Sequence, residues 1–331
     1  MSESSVFRGL ERVYQKAQKT AINIDPKKDK IIIFSDHHRG VRDGADDFMR
    51  CEKNYNAALG FYYEMGYKLV ILGDAEDLWE CWPKDVVKSY AYSLSLESEF
   101  NKSGRYIRIY GNHDDFWQHP DAVKKYLSQV FNPLPIVSEG IVFNITGASN
   151  KNPGEIFLTH GHQGTISSDI AAPVAKLAVR YIWRNFQRIT GIKLNTPAKN
   201  TDKLHEHDQA MYNWARAKGG NTYLITGHTH SPFFSTDLIK NTQDSLNKAV
   251  KVKNNKERAK LRAQLEYLTT IYQTFLNNNS QISLFYFNTG CCSFSDGDIT
   301  GIEIADGRMS LVRWPDETGL PQWKILDQFA L

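Results

Sequence analysis

Residues 31–40 read IIIFSDHHRG. Four apolar β-formers run unbroken into an acid and two histidines. Such a run reads as a strand buried on both faces, as in a parallel sheet covered by helices. Asp and His are costly to leave unpaired at the end of a buried strand, so Asp36, His37 and His38 need partners. The event recurs along the chain. KLVIL (68–72) runs into GDAED, RYIRIY (105–110) into GNHDD, EIFLT (155–159) into HGH, and TYLIT (222–226) into GHTH. In open α/β sheets, ligands bind outside the carboxyl ends of the strands, so these five loops can converge on one place.

The chain has ten histidines, and seven of them fall in these loops: His37, His38, His113, His160, His162, His228 and His230. Asp36, His38, Asp74, Asn112, His160, His228 and His230 form a set of oxygen and imidazole donors without a thiolate. That set suits manganese, iron, zinc or cobalt rather than calcium or a cysteine-bound structural zinc. It is too large for one tetrahedral ion and fits two ions that share a bridging carboxylate. In H-G-H, spacing alone leaves His160 and His162 equivalent. His37, the middle residue of D-x-H, reads as a packing residue. His205 and His207 sit two apart on a predicted helix, share no face and read as solvated.

In this order, D-x-H, G-D-x-x-D, G-N-H-D, H-G-H and G-H-x-H resemble the calcineurin-like metallophosphoesterase superfamily. The resemblance runs from about residue 30 to residue 310, apart from 241–281. It implies two stacked mixed β-sheets flanked by helices, a four-layer α/β sandwich. It implies that Asp36, His38 and His230 hold one divalent cation, that Asn112, His160 and His228 hold a second, and that Asp74 bridges them. Manganese is the foremost expectation. His160 is favoured over His162 as the ligand, with His162 and Arg39 on the substrate side. His113 would serve the leaving oxygen, oriented by Asp77. The chemistry agrees: a metal-held hydroxide attacks phosphorus, the cations absorb charge and an imidazole assists departure.

GDAEDLWECW and GNHDDFW are similar to the branch that contains UDP-2,3-diacylglucosamine pyrophosphatase. That branch carries a helical cap where residues 167–218 lie here. Lys176, Arg180, Arg184 and Arg188 form one basic stripe in that slot, suited to an anionic substrate that bears a lipid. A solvated cationic face is the plainer reading of the same stripe. Three features depart from the branch: His113 stands where Arg is typical, 241–281 is additional, and the chain is longer. Trp79, Trp82, Phe116 and Trp117 read either as core or as a cradle for a base or acyl chains.

The whole chain of 331 residues reads as one phosphoesterase domain with two helical insertions, 167–218 and 241–281. A net charge of +3 argues against nucleic acid as a bulk partner, which disfavours a nuclease. A non-catalytic scaffold should have lost ligands or His113, and both are present. The partner expected is a small anionic phosphorylated molecule, with peripheral membrane or lipid contact left open, as is the oligomeric state. Cys51, Cys81, Cys291 and Cys292 have no disulfide or C-x-x-C spacing and read as reduced thiols of a cytoplasmic protein. The N-terminus lacks the apolar stretch of a signal peptide and instead predicts an amphipathic helix over 4–20. The last three predicted strands, 282–287, 299–304 and 309–314, are expected to form an antiparallel ending.

Overall fold

The computed structural model describes residues 3–147, 154–164, 201–219, 222–234, 285–315 and 319–331, with scattered helical positions between 247 and 269. Of 201–206 only the backbone is described. Twelve strands are present among these residues: β1 (Ile22–Ile24), β2 (Ile31–Phe34), β3 (Lys68–Leu72), β4 (Tyr106–Ile109), β5 (Val137–Ser138), β6 (Gly140–Ile145), β7 (Glu155–Thr159), β8 (Thr222–Thr226), β9 (Tyr286–Asn288), β10 (Ile299–Ala305), β11 (Arg308–Trp314) and β12 (Lys324–Ala330). They form a five-stranded sheet in the order β1-β6-β7-β8-β9 and a seven-stranded sheet in the order β12-β11-β10-β2-β3-β4-β5. Both are mixed: β2, β3 and β4 are parallel, as are β7, β8 and β9, whereas β10 runs antiparallel to β2 and β6 to β7.

Period-two patterning sets the layers. In β2, Ile31 and Ile33 belong to the core shared with the five-stranded sheet, while Ile32 and Phe34 belong to the core on the opposite face. In β3, Val70 and Leu72 alternate with Leu69 and Ile71 in the same way. The outer face of the seven-stranded sheet is covered by helices that include α2 (Glu52–Glu64), α3 (Pro83–Ser89), α4 (Ala91–Lys102) and α5 (Pro120–Leu127). The five-stranded sheet is covered by α1 (Glu3–Gln18) and α6 (Thr201–Lys218). The result is helix, sheet, sheet, helix: the four-layer sandwich expected.

Helix α1 buries Val6, Leu10, Val13 and Ala17, a stripe at three- and four-residue steps. Each of its larger side chains contributes roughly 1.5–3 kcal/mol by leaving water. Residues 83–102 form two helices rather than one, α3 and α4, because Tyr90 takes a non-helical backbone (φ −116°, ψ 29°). The antiparallel ending also needs correction. β10 and β11 pair antiparallel as expected, but their third partner is β12, whereas β9 joins the other sheet parallel to β8. The 282–287 stretch, ISLFYF, is apolar apart from Ser283, so its pattern does not reveal which sheet it enters. Residues 167–200 of the proposed cap, and most of 241–281, lie outside the described residues.

Candidate metal centre

The parallel strands β2, β3 and β4 deliver three motif loops at their carboxyl ends, and β7 and β8 deliver two more. The loops after β2 and β3 continue side by side, with Asp36 N–H donating to Gly73 O (3.1 Å) and His38 N–H to Asp74 O (2.9 Å). The two sheets are tied together at this edge. Cys292 N–H donates to Ser35 O (3.1 Å) and His228 N–H to Asp36 Oδ2 (3.0 Å), while within the five-stranded sheet Gly227 N–H donates to His160 O (3.0 Å).

Five of the expected ligands have left-handed backbones: Asp36, His38, Asp74, His228 and His230, with φ between 49° and 70°. Non-glycine residues avoid this region, and its repeated use here is local strain stored where side chains must be aimed. The glycines preceding the motifs provide room. A Cβ on Gly111 would lie 2.2 Å from Asp74 Oδ1, and one on Gly227 would lie 2.3 Å from Asp36 Oδ2.

The ligand atoms of Asp36, His38 and His230 lie within 4.8 Å of one another, and so do those of Asp74, His160 and His228. His230 Nε2 is 3.1 Å from Asp36 Oδ1 and 3.0 Å from His38 Nε2. Asp74 Oδ2 stands between the two groups, 3.1 Å from His160 Nε2 and 3.8 Å from His38 Nε2. Asn112 is buried, and its Oδ1 has no hydrogen-bond partner among the described residues.

His160 gives the sharpest test of fit. Its Nδ1 lies 2.9 Å from Leu72 O, and a carbonyl only accepts, so Nδ1 carries hydrogen and Nε2 is left to bind a cation. That buried Nε2 faces two carboxylates. Burial presses the imidazole toward neutrality, but Asp74 and Asp36 reverse this and lift it to about 9. A divalent cation and that proton compete for one lone pair. Burial likewise opposes protonation of His38, and Asp36, Asp74 and Asp77 lift it to about 10. Burial holds His228 well below the ordinary imidazole range, in the neutral form a metal requires. The donors therefore fit two divalent cations.

A third grouping, His38–Asp77–His113, shares His38 with the first. Here His113 Nδ1 is committed to Asp77 Oδ1 at 3.0 Å, and its ring stacks on Trp79 with centroids 4.6 Å apart. Trp79 Nε1–H in turn donates to Asn112 O (2.5 Å). The imidazole is thus held on one edge and one face. Burial opposes its protonation, and the Asp74 and Asp77 carboxylates prevail and raise it.

Other expectations fall elsewhere. Arg39, placed on the substrate side by sequence, is fully buried, with its guanidinium paired to Glu76 (3.2 Å) and to Glu97. The same carboxylates pair with Arg108, itself fully buried, and Tyr55, Tyr106 and Trp117 supply further donors. This neutral quartet underlies the first two motif loops, so Arg39 is committed to the protein interior. His162 is buried beside His160, and burial, then His160, lowers it to about 3. His37 packs edge-on against Tyr55 with centroids 4.6 Å apart, as expected. Trp117 is core, whereas Trp82 and Phe116 are exposed. Lys176, Arg180, Arg184 and Arg188 lie outside the described residues.

Sequence reasoning missed four positioning side chains. Asp114 accepts from Gly111 N–H (2.6 Å), Ala75 N–H (2.9 Å) and Asp74 N–H (3.2 Å), binding two motif loops together. Asn288 donates to Gly227 O (2.7 Å). His207, read as solvated, is buried, with Nε2 2.7 Å from Gly161 O. Asp208 beside it is buried too. Asp114 had a signal, the doubled acid of GNHDD. The others come from distant elements and leave no local mark.

Residues 29–232 match the family model described as calcineurin-like phosphoesterase. A search of curated proteins gives no match. Among solved structures, vacuolar protein sorting 29 from Cryptosporidium parvum aligns over 92% of this chain and 98% of that chain, with 13% identity and a TM-score of 0.35. No helix among the described residues is long and apolar enough to cross a membrane.

Proposed function

The chain belongs to the calcineurin-like phosphoesterase family, and on that premise we propose that it hydrolyses a phosphate ester or pyrophosphate bond of a small anionic substrate. The observation that carries this reading is the position of the Asp74 carboxylate between two clusters of imidazole and carboxylate donors. Asp36, His38 and His230 would hold one ion, Asn112, His160 and His228 the other, and Asp74 both. When bound, such ions activate water and neutralise phosphoryl charge. Manganese is the ion proposed first.

His113 would protonate the leaving oxygen. Its Nδ1 is engaged by Asp77, which leaves Nε2 as the nitrogen that exchanges a proton. His38, His230 and His113 have side chains 11–28% exposed, whereas His160 has none, so substrate enters over the first ion and His113. The exposed Trp82 and Phe116 follow the G-D and G-N motifs and favour a substrate with a base or an acyl chain beyond its phosphate. A UDP-sugar lipid meets that description, and Arg184 and Arg188 would serve its charge.

The test is chelation followed by Mn²⁺ add-back, with p-nitrophenyl phosphate, its bis ester and UDP-diacylglucosamine assayed in parallel. Turnover restored by Mn²⁺ on any of them supports the reading, and the preferred substrate selects monoester, diester or pyrophosphate. Neutralising Arg184 and Arg188 should raise KM for the lipid substrate and spare the chromogenic one. Two ions bound with no turnover on any of the three, nor on single-stranded DNA, would count against these substrate classes and favour the non-catalytic scaffold. Cleavage of single-stranded DNA instead would assign a nuclease.

A further inference from the structure

Two adjacent residues of α6 address the two loops that frame the deeper ion site. His207 Nε2 lies 2.7 Å from Gly161 O, the carbonyl between His160 and His162. Because a carbonyl only accepts, His207 carries its hydrogen on Nε2 and donates. Asp208 accepts from Thr229 Oγ1–H (3.3 Å), between His228 and His230, and from Tyr286 O–H (2.5 Å). Successive helical residues diverge by roughly 100°, so adjacent positions on one turn of α6 can serve both loops. The frame closes where Gly227 N–H donates to His160 O (3.0 Å). His207 also packs its ring against His228, with centroids 5.3 Å apart. His207 and Asp208 are both buried, so their hydrogen bonds are not exchanged for water.

We propose that His207, supported by Asp208, is a positioning residue for the ion held by His160 and His228. It fixes the loop that aims His160 and packs against the ring of His228, while the first ion depends on it less. This inference rests on the dimetal reading above. It ties occupancy of the deeper ion to the seating of α6, an element that carries no ligand itself.

The test is Mn²⁺ titration of the full chain, read by bound metal and by electron paramagnetic resonance. Wild type should take up two ions and show the spin-coupled signal of a pair. His207→Phe keeps bulk and loses the donor. It should bind the first ion normally and the second about 10–100-fold more weakly, with an isolated Mn²⁺ signal at intermediate loading. His207→Gln retains an N–H donor and should restore the coupled signal. His207→Ala replaces Phe if the larger ring prevents cooperative unfolding of the metal-free protein. Unchanged affinity for both ions in the donor-less variant overturns this inference alone. A wild type that binds only one ion overturns the dimetal reading, and this inference with it.

Discussion

His113 and Asp77 form a dyad, with Nδ1 of the imidazole 3.0 Å from Oδ1 of the carboxylate, although the two residues come from different strand ends. Leu78 N–H donates to His113 O (3.1 Å) and His113 N–H to Asp74 Oδ1 (2.8 Å), so the backbone fixes the pair as firmly as the side chains do. Removing the imidazole should therefore leave the ligands in place. His113→Ala is expected to retain both ions and lose about 10²–10⁴ in kcat. Asp77→Asn should lose less, because it changes only the orientation and basicity of the ring. Metal analysis alongside kcat decides the matter, since a His113 variant that loses an ion would be a ligand variant.

In the proposed dimetal site, Asp74 is the residue on which both ions would converge. Asp74→Ala should abolish both binding events, whereas His230→Ala should abolish one. In wild type each ion adds stability by mass action, about 2.7 kcal/mol when its concentration is 100 times its Kd. Chelation should lower Tm of wild type and leave Tm of Asp74→Ala unchanged. A chelation response that survives in Asp74→Ala would show that the ions do not depend on the bridge.

The proposed ligands are legible in the sequence because each stands close after a predicted strand, where an unpaired acid or imidazole has little structural use. Spacing alone leaves His160 and His162 equivalent; the family resemblance favours His160, and the Leu72 carbonyl that fixes the His160 tautomer agrees with that choice. Arg39 misleads for a physical reason: a cation beside a metal motif reads as an anion contact, and its partner Glu97 is 58 positions away on α4. His207 was misread because two histidines two apart on a helix suggest solvent, and nothing local announces Gly161. The three-residue β1 and the two-residue β5 are too short to show alternation, and β12 lies alone beyond Pro321. The basis for glycine also differs by position. Gly73 needs φ of +86°, whereas Gly111 and Gly227 are required by close approach rather than by a turn.

Close approach at Gly111 yields a sharp substitution test. A Cβ there meets Asp74 Oδ1 at 2.2 Å and the Asp74 backbone nitrogen at 2.7 Å, and the backbone atom cannot swing aside. Gly111→Ala should cost about 1–3 kcal/mol of stability, as overpacking does, and weaken metal binding in the same variant. Gly60 on α2 is the control, because its Cβ would meet nothing within 4 Å. Gly60→Ala should stabilise by about 0.5–1 kcal/mol and leave metal affinity alone. Urea unfolding and Mn²⁺ titration of both variants check the contrast.

The buried quartet of Arg39, Glu76, Arg108 and Glu97 predicts the opposite of a substrate contact. Each charge is neutralised by another, so removing one leaves an uncompensated charge in the core. Arg39→Met should destabilise by about 3–5 kcal/mol. At a temperature where the variant is still folded, its KM for a small phosphate ester should match wild type, because the guanidinium does not reach the site opening. A raised KM with little loss of stability would return Arg39 to the substrate side.

Glu303, on β10 far from the ligand loops, gives a stability prediction with a definite sign. Tyr67 O–H donates to its Oε1 (2.6 Å) and Tyr62 O–H to its Oε2 (3.1 Å). Burial raises its carboxyl above the ordinary 4.5, and the two tyrosine hydrogen bonds only partly offset this. The native state therefore holds this proton more tightly than the unfolded chain. The contribution is fully present below about pH 4.5 and is lost as pH rises through the folded value. Glu303→Gln mimics the protonated form at every pH. The stability of Glu303→Gln relative to wild type should thus grow more favourable between pH 4 and pH 8. Urea midpoints for the metal-free pair measure that difference, in which titrations common to both proteins cancel. A difference that is flat with pH, or that moves toward wild type, would mean that the tyrosine hydrogen bonds outweigh burial and that the carboxyl is not raised.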